Sequence, residues 1–212
     1  MVGVCVFLQG LAHAGDRNII PVGEFSRQKL DGWQSKKFVS ETSYMLARVD
    51  GTFVLKAVSL NSASGLIKKI HVDIDKYPFL NWRWRIENQI SGRFDETQKS
   101  GDDYAARIYV LTGSRFFFWN IQALNYVWAK NSPKGSVWPN AFAKDNALMT
   151  ALRSSGDPVS VWQVEKRNIR EDFKTLLGRE VRFIDAVVIM SDTDNTQKQV
   201  TAYYGDIYFS SR

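Results

Sequence analysis

Thiol and imidazole chemistry are almost missing from this chain. Among its 212 residues there is one cysteine, Cys5, and two histidines, His13 and His71. A lone cysteine excludes a disulfide framework and a cysteine-ligated metal site. Two histidines are too few for a three-histidine zinc centre. Long basic runs are missing as well: nothing exceeds Lys36-Lys37 or Lys68-Lys69, although the net charge is +6. That balance favours anionic partners in general, such as acidic sugars, phosphates or envelope polymers. Its scatter gives no indication of nucleic-acid binding.

Charge is also lacking across residues 1–14, MVGVCVFLQGLAHA. The segment is mostly apolar, ends in Ala12-His13-Ala14 and turns polar at Gly15-Asp16-Arg17. An apolar run followed by A-x-A is the pattern of a cleaved export signal, and it is too short to span a bilayer. The competing reading is a buried N-terminal strand, which the Gly and Gln inside the run suit poorly. Export predicts a periplasmic or secreted protein cleaved after Ala14, with residues 15–212 forming a single domain. Cleavage removes Cys5 and His13, so a Ser-His-Asp triad would have to use His71. His71 alternates with Ile70 and Val72 and has no serine or aspartate at a recognisable spacing.

What is present is a packed, globular composition, 44% hydrophobic and 13% aromatic, which argues against disorder. Period-2 alternation dominates. Trp82, Trp84 and Ile86 alternate with Arg83, Arg85 and Glu87; Ala106, Ile108 and Val110 alternate with Arg107, Tyr109 and Leu111. Strands are predicted at 43–49, 52–59, 65–72, 81–88, 104–111, 115–119, 123–128, 146–152, 159–166, 182–191 and 199–209. One helix interrupts them. Asn168 is a good N-cap with Glu171 three residues on; Ile169, Phe173 and Leu176-Leu177 form an apolar stripe, and Gly178 is the stop. Many strands with one short helix predict a mainly β fold, a two-sheet antiparallel β-sandwich of jelly-roll type. A closed barrel is the alternative.

The segments YPFLNWRWRIEN, SGDDYAARIYV, ALNYVW, WPNA, EKRNIREDF, SDTDN and YYGDIYFS resemble those of a bacterial family catalogued as domain of unknown function 3047. The resemblance runs from about Pro21 to Ser210. It implies a secreted or periplasmic single domain and no particular reaction. EFSRQKLDGW and VTAYYGDIYFS are also similar to the first and last strands of galactose-binding-like jelly rolls, which include carbohydrate-binding modules. That similarity implies a structural Ca²⁺ between Glu24 and Asp206.

Four constellations could carry chemistry. Arg83, Arg85, Arg107, Glu165 and Arg167 form one polar binding face if their strands are neighbours, since arginine forks suit planar anions. The alternative is a solvated face laced with ion pairs. Asp103 with Glu165 would supply acid/base carboxylates for a glycan hydrolase, or Asp103 simply pairs with an arginine. Tyr126 and Trp128, with Asn125 and beside Trp138-Pro139-Asn140, are candidates for stacking on sugar rings, as is Phe116-Phe117-Phe118-Trp119; the plainer reading places such aromatics in the core. Ser191-Asp192-Thr193-Asp194-Asn195 reads as a hairpin turn, because an EF-hand's glycine and terminal glutamate are absent. Together these predict an extracytoplasmic domain binding a polar or anionic carbohydrate or envelope component. The alternatives are a carboxylate-based hydrolase and an envelope scaffold.

Overall fold

A computed structural model describes residues 18–113 and 121–212. The leader expected at 1–14, the strand expected at 115–119 and the aromatic run 116–119 lie outside the described residues. In chain order the first strands are β1 (Ile19–Gly23), β2 (Trp33–Val39), β3 (Ser43–Val49), β4 (Thr52–Leu60), β5 (Ala63–Asp73) and β6 (Phe79–Ile86). Next come β7 (Ala106–Thr112), β8 (Gln122–Trp128), β9 (Val137–Asn140), β10 (Lys144–Arg153) and β11 (Gln163–Asn168). Helix α1 (Ile169–Leu177) precedes β12 (Phe183–Asp192), β13 (Gln199–Tyr204) and β14 (Ile207–Ser210).

The strands form two sheets, so the fold is a mainly β sandwich with one short helix. The first sheet has the order β1-β14-β6-β13-β4-β3, with β11 also pairing β6; the second runs β2-β5-β12-β7-β8-β10-β9. Pairing is antiparallel apart from β8 with β10, which are parallel. Alternation decides the core. Leu80, Trp82, Trp84 and Ile86 of β6 face Ala106, Ile108 and Val110 of β7, Leu124, Tyr126 and Trp128 of β8, and Val187 and Ile189 of β12. Each large side chain taken out of water there contributes roughly 1.5–3 kcal/mol.

Helix α1 starts and stops as its sequence predicts. The Asn168 side chain accepts the Glu171 amide at 3.1 Å, and Gly178 ends the helix in the left-handed region. Ile169 and Phe173 join the core, and buried Asp172 accepts the Tyr126 hydroxyl at 2.7 Å.

Three local expectations change. Residues 199–209 are two strands, β13 and β14, because the chain turns at Gly205-Asp206. A Cβ at Gly205 would lie 2.5 Å from the Arg83 side chain, so only glycine fits. Segment 191–195 is no hairpin: β12 lies in one sheet and β13 in the other, and the segment carries the chain between them. Strands β1, β2 and β9 also went unread, being short or polar; β2 carries Gln34, Ser35, Lys36 and Lys37 in succession.

The outer face of the second sheet positions the candidate site. Across it, Gly65, Met190, Arg107 and Val127 stand opposite one another on successive strands; Ile67, Val188, Tyr109 and Asn125 form the next row. Tyr104 and Trp138 pack with Val127, Met149 and Ala151 in a second, smaller apolar cluster.

Candidate functional site

Three anchored segments converge on this outer face. The first follows β12. Ser59 and Thr193 hydroxyls meet at 2.8 Å, Thr42 donates to the Ser191 carbonyl at 2.8 Å, and Ser62 joins both Thr42 and Ser59 at 3.0 Å. These buried hydroxyls satisfy one another, which fixes where residues 191–195 leave the sheet. The second is the loop before β7. Buried Glu96 accepts the amides of Lys130, Asn131 and Ser132, at 2.5, 3.2 and 2.6 Å, tying this loop to the one after β8. The third is the turn after β9. The Asn140 side-chain oxygen accepts the amides of Phe142 and Ala143 at 3.1 and 2.9 Å, an Asx turn that sets the direction of Phe142. Its amide nitrogen donates to both oxygens of Asp102, at 3.4 and 3.3 Å.

Between them lies a cleft of about 360 Å³. Its floor carries Arg107, Tyr109, Asp192 and Met190; Asp102, Asn140, Asp194 and Asn195 close one end. Two phenylalanines stand on its rim from opposite edges of the sheet: Phe38, 55% exposed, and Phe142, 57% exposed. Phe38 sits where the β2–β5 register shifts between Lys37 and Val39, and such a bulge re-aims a side chain. The Lys99 ammonium stands 5.3 Å from the centre of the Phe142 ring.

Charge in the cleft is unbalanced. Arg107 donates to Asn125 at 3.0 Å and stands 3.8 Å from Asp192, above the rings of Tyr109 and Tyr104 at 5.1 and 5.7 Å. Burial pushes the Asp192 carboxyl far up, with Asp103, Asp102 and Asp194 adding to the rise against the pull of Arg107. Burial also raises Asp102, opposed by Arg107, and raises Asp194, to which Asp103 adds. Burial acts against the Arg107 charge, but Asp192 and Asp102 outweigh it and hold the guanidinium protonated.

The residues singled out in the sequence are dispersed. Arg83 lies on the first sheet, its guanidinium 4.6 Å above the Trp162 ring, and Arg85 bonds Glu87 at 2.5 Å and Asp50 at 3.5 Å. Arg167 is fastened to Asp172 at 2.9 and 2.5 Å. Arg107 is on the other sheet, and within the first sheet Glu165 and Arg167 stand opposite Trp82 and Leu80, on the face away from Arg83 and Arg85, so the shared arginine face is corrected. The pairing of Asp103 with Glu165 is corrected on the same ground. Glu165 accepts Trp84 at 3.0 Å and Arg153 at 2.6 Å, whereas Asp103 accepts Asn195 and Thr196. Tyr126 and Trp128 are fully buried inward, so neither can stack on a ligand.

Glu24 is paired with Arg27 at 2.8 Å and Lys29 at 3.4 Å, and Asp206 accepts the amide and hydroxyl of Ser26. Two cations on Glu24 do not fit a calcium ligand. His71 stacks on Phe183 at 4.4 Å and meets Asp185 at 3.1 Å on the surface. Arg83, Glu165 and Asp206 do line one further cleft, of about 400 Å³, on the first sheet. There both carboxylates already have protein partners. In the second-sheet cleft, by contrast, Asp192 Oδ1 is buried without one.

Arg107 and Asn140 were legible as site candidates in the sequence, whereas Phe38, Phe142 and the role of Asp192 and Asp194 were not. The only local signal for the phenylalanines was an aromatic residue in a polar stretch.

Residues 31–208 match the model of the family described as "Protein of unknown function (DUF3047)". No curated protein matches the sequence. Among solved structures, the chain is similar to a family 11 carbohydrate-binding module from Clostridium thermocellum in complex with a β-1,3-1,4-mixed-linked tetrasaccharide. The TM-score is 0.47 at 9% identity, covering 91% of this chain and 95% of that one. It is also similar to a family 30 carbohydrate-binding module of a C. thermocellum cellulosomal cellulase, with TM-score 0.47, 11% identity, and 85% and 92% covered. A Cel12A cellulase derived from Rhodothermus marinus gives TM-score 0.47 at 8% identity, with 83% and 94% covered.

Proposed function

The chain belongs to the DUF3047 family, and since that family brings no reaction with it, we propose from the cleft itself that the domain binds a carbohydrate on the outer face of its second sheet. The observation that carries this reading is the pair of exposed rings, Phe38 and Phe142, flanking a polar floor. A sugar ring offers apolar faces that stack on aromatics and hydroxyls that bond carboxylates, amides and guanidinium groups. A mostly apolar wall with a few fixed polar groups is the usual form of a small-ligand site. Three carboxylates, Asp102, Asp192 and Asp194, line the cleft against the single Arg107 guanidinium. That balance favours a neutral, hydroxyl-rich glycan over an anionic one.

The domain acts outside the cytoplasm in this reading, supported by the export pattern of residues 1–14. Among the described residues, no helix is long and apolar enough to cross a membrane. The test is a panel of neutral and acidic polysaccharides in affinity electrophoresis. Retardation by a neutral glycan, reduced in Phe142→Ala, is expected; no retardation by any glycan would overturn the reading.

A second reading, glycan hydrolysis, has one observation in its favour. Burial pushes Asp102, Asp192 and Asp194 upward within one cleft, as a general acid requires. Release of new reducing ends from the bound glycan distinguishes it from binding alone.

A further inference from the structure

Asp103, Asp192 and Asp194 each place one carboxylate oxygen within 4.8 Å of the other two. Oxygens bound to one calcium ion at 2.3–2.6 Å stand at most about 5 Å apart, and these separations fall within that limit. The three residues come from two segments, the loop before β7 and the one after β12. Asp192 and Asp194 are two residues apart in the Ser191–Asn195 segment, and the fold brings Asp103 to them from far along the chain.

A cluster of carboxylates is common without an ion. What separates this one is Asp192. Its side chain is 3% exposed, and Oδ1 is buried with no hydrogen-bond partner among the described residues. A buried, unsatisfied carboxylate oxygen costs several kcal/mol unless something neutralises it. Arg107 approaches the other oxygen, Oδ2, at 3.8 Å, beyond hydrogen-bond length. The loop itself is built to hold the other two. Asn195 and Thr196 amides donate to Asp103, at 3.3 and 2.6 Å, and the Asn195 side chain bonds Asp103 at 3.1 Å and Asp194 at 3.3 Å. These bonds orient carboxylates toward one another, the reverse of what their mutual repulsion would do in the absence of a cation. Thr196 Oγ1, in the same loop, is a second buried oxygen without a partner.

We propose that Asp103, Asp192 and Asp194 hold a divalent cation, calcium by its chemistry, at the end of the cleft. All three donors are hard carboxylate oxygens with neither nitrogen nor sulfur among them, a set that suits calcium over zinc or copper. The ion offsets the surplus of carboxylate over guanidinium and clamps the loop before β7 to the loop after β12. Asp192 and Asp194 line the cleft, so the clamp shapes one of its walls. This site is separate from the Glu24–Asp206 pair and stands whether or not a glycan binds.

The test uses the whole chain, stripped with a chelator and titrated with calcium chloride alone. Thermal unfolding should rise by about 5–10 °C once calcium is about a hundredfold above its Kd. Terbium in place of calcium should give luminescence sensitised by nearby Tyr104 and Tyr109. Asp192→Asn and Asp194→Asn should each abolish the shift and the luminescence, while Asp206→Asn keeps both. Asp194 is partly exposed, so its variant decides the matter if Asp192→Asn does not fold. Three results would overturn the proposal: no calcium shift in the wild type, a wild-type shift in Asp194→Asn, or a shift lost only in Asp206→Asn.

Discussion

The Arg107 guanidinium stands 3.8 Å from the Asp192 carboxylate, and both side chains are almost wholly inside the protein. Arg107 also holds Asn125 at 3.0 Å, so one cation organises the floor of the cleft and the strand beside it. Removing it leaves two buried carboxylates, Asp192 and Asp102, without their compensating charge. Arg107→Ala should therefore destabilise the fold by about 3–5 kcal/mol in urea unfolding. Arg107→Lys should recover part of that loss by restoring charge without the planar fork. A loss below about 1 kcal/mol for Arg107→Ala would show that the charge is not needed.

Glu96 supports the site at one remove. Its carboxylate is 1% exposed and receives three consecutive backbone amides, from Lys130 to Ser132. Charge-assisted bonds of this kind are among the stronger ones in a protein. Glu96→Ala should cost about 2–4 kcal/mol and open the 129–136 loop to protease nicking. Glu96→Gln, which keeps one acceptor, should fall between wild type and alanine. Unchanged proteolysis in Glu96→Ala would contradict the anchoring role.

Asn140 couples the loop chemistry to the rim. Its oxygen caps the turn that carries Phe142, and its nitrogen reaches Asp102. Asn140→Ala should loosen Phe142 and lower glycan affinity about tenfold, a loss of roughly 1.4 kcal/mol of binding. Asn140→Asp should keep the turn but place another negative charge beside Asp102, so its affinity should fall at neutral pH and less at acid pH. Binding equal to wild type in Asn140→Ala would place the ligand elsewhere.

The contrast between what could and could not be read in the chain follows from range. β3 was legible to the residue, because Ser43–Val49 is bounded by its own turn at Asp50-Gly51. Helix α1 was legible from Asn168 and Gly178, since capping is decided within four residues. The cleft was not, because Phe38, Asp102, Asn140 and Asp192 are brought together only by the order of strands in the second sheet. Alternation gave Arg107 and Arg83 the same outward character, and nothing local says that they face opposite sides of the sandwich. Tyr126 and Trp128 were misjudged for the same reason. Their period-2 neighbours identify a face of β8, but only the opposing sheet decides that this face is the buried one.

The central claim is that Phe38 and Phe142 frame a glycan-binding cleft, and calorimetric titration of the best-retained oligosaccharide tests it most directly. Both rings are more than half exposed, so Phe38→Ala and Phe142→Ala should unfold at the wild-type temperature within a degree or two. Each should weaken binding about tenfold, and the double variant should show no measurable heat of binding. A double variant that binds with wild-type affinity would contradict the account.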